Sequence, residues 1–393
     1  MKVLFVNNCD LPGRVFNGYD LHNALIKKGI TANLVVIDKF SDDVTVKQLE
    51  IDALERELII YEEEKNCLKN LLFPYAEKLF NLKLFKEADI VHFHFPYHDM
   101  FSLLDYKLIM DRRAVWTIHD MWPVTGNCTN PFECRKWISG CGDCQRYDDD
   151  YFPMKMDNTA FMWKIKKEAY KDINPHIIVS TKNMESIIRK SPLTGHFNDI
   201  NVIPFGISFC DRKKEKRNKI VIGFRLTDAK IKGCQFLYQA IRKLKGYESK
   251  IEFQCVDEGH IPDDIEKRFV IKKYGWVHDK NKLNEIMYGW DIFVMPSINE
   301  SFGIMAIEAM GSKCALLCFK DTIIEELAEA PENALTAAYK DEDDLFNKLK
   351  LLIDSKRIRE DYQRKGFIHV RNKYSFDTYV DRHIALYDQI MRG

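Results

Sequence analysis

"DIFVMPSINESFGIMAIEAM", Asp291–Met310, joins an apolar run to an amphipathic stretch through a short polar turn. The run Ile292–Met295 is continuously apolar, the pattern of a strand covered on both faces. The residues after the turn predict a helix starting near Phe302–Ile304. Glu300 stands in the turn and Glu308 on the helix, with seven residues between them. Strand, turn and helix in this order are the repeating unit of a parallel α/β sheet, whose ligands bind beyond the carboxyl ends of the strands. The turn is therefore where a site is expected.

The same unit recurs along the chain. "KVLFVN", "ANLVVI", "DIVHFHF", "AVWTIH", "HIIVST" and "INVIPF" are strand candidates in the first half. "KIVIGF", "KIEFQCV", "VIKKYGWV", "DIFVMPS" and "CALLCF" follow in the second. The expected class is α/β, with two doubly wound domains of the Rossmann-like kind. A length of 393 residues suits two such cores. The expected division is 1–208, 209–374 and a closing helix over 375–393, with the charged stretch Cys210–Lys219 as the seam. Phe376, Tyr379, Ile384, Leu386, Tyr387 and Ile390 would form the apolar face of that last helix. Val44–Lys86 interrupts the alternation and reads as two helices broken near Pro74. The second of them is apolar and lysine-rich, a pattern shared by core-packed helices and by helices lying on an anionic membrane.

Composition excludes several functions. Lys+Arg and Asp+Glu both total 59, and a net charge of zero argues against a dedicated nucleic-acid binder. No stretch approaches the roughly 20 apolar residues of a membrane span. "MKVLFVNNCD" reads as a first strand and not as a leader, so a cytoplasmic location is expected. Cysteines there are thiols or metal ligands more often than disulfides. Cys128, Cys134, Cys141 and Cys144 fall within seventeen residues, spaced C-x5-C-x6-C-x2-C. Four thiols so close predict a structural zinc, a set of reduced thiols on an ordered loop, or a redox-labile disulfide. Asp148 and Asp150 form a D-x-D pair, read as a solvated acidic loop.

"PSINESFGIMAIEAM" resembles the signature of the retaining glycosyltransferases of family 4, which have the GT-B fold. That fold has two Rossmann-like domains facing across a cleft and a C-terminal helix that returns to the first. The resemblance implies that Glu300 touches the donor sugar and that Glu308 holds the ribose hydroxyls of a nucleotide sugar. About 12 Å of helix rise over eight residues is roughly the span from sugar to ribose. "IGFRLTDAKIKGCQFLYQAI" is similar to the family's pyrophosphate-holding stretch, which assigns Arg225 and Lys232 to the diphosphate. "WTIHDMW" resembles a first-domain strand end and gives His119 a place against the donor sugar. Gly18, in "FNGYDLHNAL", opens a helix after the first strand, where glycine permits close approach of a phosphate. The amides of Phe302, Gly303 and Ile304 would complete the anion site.

The resemblance implies a sugar transfer with no catalytic metal, in which arginine, lysine and the helix N-terminus stabilise the leaving diphosphate. The acceptor would be a saccharide or lipid-linked, as in cell-surface polysaccharide synthesis, with peripheral membrane contact and no nucleic acid. The same fold also serves epimerases, phosphorylases and non-catalytic partner subunits. Departures are local. Lys313 and Ala315 replace the family's glycine and proline after the second glutamate, and Phe205 stands where asparagine is usual. Only Gly18 remains of two adjacent glycines. The cysteine loop resembles one found in a bacterial exopolysaccharide subset of the family.

Overall fold

The computed structural model describes the whole chain except residues 12–17, 112, 150, 210–213 and 215–216. Most of the predicted seam, Cys210–Lys219, and Asp150 of the D-x-D pair lie outside the described residues. Contacts divide the chain into two compact units, Met1–Pro204 with Val380–Gly393, and Phe205–Tyr379.

The first unit holds a seven-stranded sheet. Its strands are β1 (Lys2–Cys9), β2 (Thr31–Asp38), β3 (Val46–Gln48), β4 (Ile90–Phe93), β5 (Ala114–Ile118), β6 (His176–Val179) and β7 (Ile200–Val202). Their order is β3-β2-β1-β4-β5-β6-β7, all parallel. Every residue of β4 and β5 is buried, as continuous apolar runs require when both faces are covered. The strand order reverses between β1 and β4, which makes the ends of those strands the switch point.

The second unit repeats the plan with six parallel strands. They are β8 (Ile220–Arg225), β9 (Ile251–Val256), β10 (Ile271–Lys273), β11 (Ile292–Met295), β12 (Ala315–Phe319) and β13 (Leu335–Ala337). The order is β10-β9-β8-β11-β12-β13, so β8 and β11 flank its switch point. The helix Cys234–Lys243 shows how the faces are covered. It buries Cys234, Leu237, Ala240 and Ile241, one stripe of a 3.6-residue period.

Val44–Lys86 is not two helices. It opens with β3, an edge strand only three residues long, and continues through helices Ala53–Asn66, Ala76–Phe80 and Lys83–Glu87. The first helix ends at Cys67 in the left-handed region, well before Pro74. Glu63 explains the stop. Its buried carboxylate accepts backbone N–H bonds from Asn70, Leu71 and Leu72 at 2.7–2.8 Å and so holds the following turn in a non-helical path. Phe73, Leu79 and Phe85 of the lysine-rich stretch lie in the domain core, while Leu72 and Phe80 remain exposed. No described helix is long and apolar enough to cross a membrane.

The final helix, Phe376–Arg392, buries Tyr379, Leu386 and Tyr387. From Val380 onward it belongs to the first unit, where the Tyr387 hydroxyl meets His92 Nδ1 at 2.6 Å.

Candidate functional site

In the second unit, the ends of β8 and β11 carry the charged groups. Gly233 brings their loops together. It has φ 73°, and a Cβ there would lie 1.8 Å from the carbonyl oxygen of Pro296, so only glycine permits the approach. A backbone bond from Ile298 N to Ile231 O at 2.8 Å ties the same two loops. The result places Lys232 Nζ 2.9 Å from both carboxylate oxygens of Glu300. Ser297 Oγ donates to Glu300 Oε1 at 3.0 Å. Both charged side chains retain partial exposure, 21% for Lys232 and 12% for Glu300, so solvent or a ligand can still reach the pair.

Arg225 ends β8, and its Nε donates to Asp257 Oδ2 at 2.7 Å. That bond fixes one edge of the guanidinium and leaves the four N–H donors of its two terminal nitrogens outside it. Asp257 is itself held by the backbone, in a bridge to Gly275. Helix Ile304–Gly311 starts at Gly303, φ 85°, and no side chain caps its N-terminus. Its first amides are therefore donors available to an anion. Phe302 is buried and packs edge-on to Phe205 at 5.0 Å, so only its amide can serve such a site. Phe205 thus fills the position usual for asparagine with an apolar contact.

Glu308 lies on the buried side of that helix, 8% exposed. Among the described residues its carboxylate has no hydrogen-bond partner. Burial pushes its pKa up to about 7, against a smaller opposing pull from Lys280. A largely buried carboxylate with no protein donor is suited to a ligand that brings hydroxyl groups.

In the first unit, Gly18, His94 and His119 converge. Gly18 has φ 77° at the start of helix Tyr19–Lys27, and a Cβ there would meet His94 Nε2 at 2.6 Å. His119 follows β5 and stacks on Phe95 with centroids 4.3 Å apart. Its Nε2 lies 3.2 Å from His94 Nδ1. Burial, reinforced by His94 and His98, drives the His119 pKa well below the ordinary histidine value, so the ring is neutral at physiological pH.

The four cysteines line one cavity of about 150 Å³, together with Thr125, Trp137 and Met154. They do not form the predicted metal centre. Among the described residues no three His, Cys, Asp or Glu side chains gather as a metal-binding group. Two of the sulfurs have other partners instead. Cys141 Sγ accepts from Gly126 N at 3.2 Å and Cys144 Sγ from Arg146 N at 3.4 Å. Burial raises the pKa of both and pushes that of Cys128 up to about 12, so these thiols are neutral near pH 7.

Sequence reasoning missed Ser297, Asp257 and His94. Ser297 stands three residues before Glu300 in the same turn, a spacing that could have been noticed. Asp257 and His94 lie 32 and 25 residues from the partners they hold, and no local pattern announces them.

Residues 217–355, which include Arg225, Lys232 and both glutamates, match the family model described as glycosyl transferases group 1. That segment of the second unit is similar to group 1 glycosyl transferases. The whole chain has the GT-B fold: HepE of Anabaena, in a crystal structure with UDP, superposes over 99% of this chain and 100% of its own, with a TM-score of 0.66 at 13% identity. Two curated relatives share shorter stretches with this chain. The putative colanic acid biosynthesis glycosyl transferase WcaC of Escherichia coli is 33% identical over 63 residues, 16% of this chain and 15% of its own length. The MMP α-(1→4)-mannosyltransferase of Mycolicibacterium hassiacum is 23% identical over 238 residues, 58% of this chain and 56% of its own. The chain thus spans at most about half the length of the curated relatives it matches.

Proposed function

We propose that this protein moves a sugar from a nucleotide-sugar donor, with retention of configuration, to a saccharide or lipid-linked acceptor of cell-surface polysaccharide synthesis. The observation that carries the reading is the Lys232–Glu300 pair, followed on the next helix by Glu308, whose carboxylate has no hydrogen-bond partner among the described residues. Without donor, the ammonium and the carboxylate of the pair neutralise each other. A bound nucleotide sugar supplies better partners for each: phosphate oxygens for Lys232, sugar hydroxyls for Glu300 and ribose hydroxyls for Glu308.

Arg225, held by Asp257, and the amides of Phe302, Gly303 and Ile304 would stabilise the diphosphate as the bond to the sugar breaks. The leaving phosphate would take the acceptor proton, so no enzyme carboxylate forms a bond to the sugar. His119 would orient the sugar, and Gly18 would admit a phosphate close to the backbone. UDP in the HepE crystals makes a uridine donor the first to test. The reading includes a cytoplasmic location, because charged nucleotide sugars do not cross a lipid bilayer unaided.

The experiment is a thermal-shift and hydrolysis panel of UDP-, GDP- and ADP-sugars. One donor class should raise Tm and be slowly consumed, and Lys232→Ala should abolish both effects. Stabilisation by no nucleotide sugar, with no transfer or hydrolysis, would reject the proposal.

A further inference from the structure

The connection from β10 to β11 skips two strands. β10 is the outer strand of its sheet, so the chain passes β9 and β8 on its way to β11 through helix Lys280–Tyr288. Its first leg, residues 274–279, leaves the carboxyl end of β10 and runs along the edge where ligands of a parallel sheet bind. Tyr274 N donates to Cys255 O at 3.0 Å and Asp257 N to Gly275 O at 2.8 Å, which ties the leg to the end of β9. Asp257 in turn holds Arg225 at 2.7 Å. Asp279 closes the leg by accepting from Asn281 N and Lys282 N, the first amides of the helix. Lys280, the next residue, is the positive charge that acts on the Glu308 carboxyl. The leg therefore spans from the guanidinium assigned to the diphosphate to the carboxyl assigned to the ribose. Trp276 stands on it with 47% of its surface exposed, whereas the other five tryptophans are 7% exposed or less. The His278 ring meets the indole edge-on, with centroids 6.2 Å apart and planes at 69°.

From this placement we infer that Trp276 is the platform on which the nucleobase of the donor stacks. The inference deepens the proposed donor site and rests on it. In a nucleotide sugar the base hangs from the ribose by one bond, on the side away from the diphosphate. A ribose held at Glu308 therefore brings the base to whatever neighbours Glu308 beyond the phosphate groups, and the leg ending at Lys280 is such a neighbour. An indole is broad enough to cover a pyrimidine or a purine, and every base offers it a flat π face. Stacking would remove apolar surface of both rings from water, which an indole left in solvent forgoes. A stack reads no hydrogen-bonding edge. Trp276 thus contributes affinity for a nucleotide and leaves the choice among bases to groups that meet the base edge.

The experiment titrates the full chain with UDP, GDP and ADP in wild type, Trp276→Phe and Trp276→Ala, reading tryptophan fluorescence and the heat of binding. The nucleotide that wild type binds best should change its emission, because the exposed indole is covered. Trp276→Phe keeps a ring and should bind within about threefold of wild type while losing most of the emission change. Trp276→Ala should bind about ten- to a hundredfold more weakly, with the Tm of the free protein unchanged. In donor hydrolysis the same variant should raise KM by a like factor and leave kcat nearly as it was, the mark of an interaction made equally in ground and transition states. Wild-type affinity in Trp276→Ala overturns the inference, as does a full emission change in Trp276→Phe. A loss of affinity that comes with a fall in Tm and is not relieved in Trp276→Phe overturns it too. Binding of no nucleotide by wild type rejects the donor reading and this inference with it, whereas binding indifferent to Trp276 overturns this inference alone.

Discussion

Glu308→Gln separates what the buried carboxyl costs the protein from what it contributes to binding. Its pKa of about 7 lies above the ordinary 4.5 because burial disfavours the charged form. The native state therefore holds the proton more tightly than the unfolded chain does. Below the unfolded value both states are neutral and there is no penalty. The penalty grows as pH rises between the two values and levels off above about 7. From the linkage relation it amounts to about 1 kcal/mol near pH 5 and about 3 kcal/mol near pH 8. Glutamine is neutral throughout, and the cost of its own buried amide does not vary with pH. The stability difference between Glu308→Gln and wild type should therefore move by about 2 kcal/mol in favour of the variant between about pH 5 and about pH 8. Urea unfolding across that range measures it. Donor affinity should change in the opposite direction, weakening about ten- to a hundredfold at neutral pH as a charged acceptor is lost from the ribose hydroxyls. A stability difference that stays flat with pH would refute the burial argument. Stabilisation with undiminished donor affinity would refute the ribose assignment.

Gly18→Ala should cost about 1–3 kcal/mol of stability, since the new methyl group strains a left-handed residue and strikes His94; calorimetry on the two proteins would check it. In thiol labelling of the native protein near neutral pH, exposed Cys134 should react at least about tenfold faster than Cys128, whose pKa is pushed up to about 12. Comparison with Cys134→Ser assigns the fast phase, and equal rates would show that the loop opens freely.

The sequence by itself determined the two α/β sheets, the strand-turn-helix unit at Asp291–Met310 and the positions of Arg225, Lys232, Glu300 and Glu308. Each is written in a local signal: continuous apolar runs, a polar turn at a strand end, an arginine after a strand. The short edge strands β3 and β13 carry no such signal, being three residues long. The break after Asn66 depends on a carboxylate reaching forward seven to nine residues, which overrides the helical periodicity of Val44–Lys86.

What only the tertiary structure decided is pairing. Lys232 and Glu300 are 68 residues apart, and His92 and Tyr387 are 295 apart. Their contacts exist because parallel crossovers return the chain to the same sheet edge and the last helix returns to the first unit. The cysteine loop shows the same limit from the other side. Spacing along the chain puts four thiols within reach of one metal ion, but in the folded loop no three of them gather as a metal-binding group. Hydrogen bonds and desolvation act through space, and a linear pattern records only which groups are present to take part.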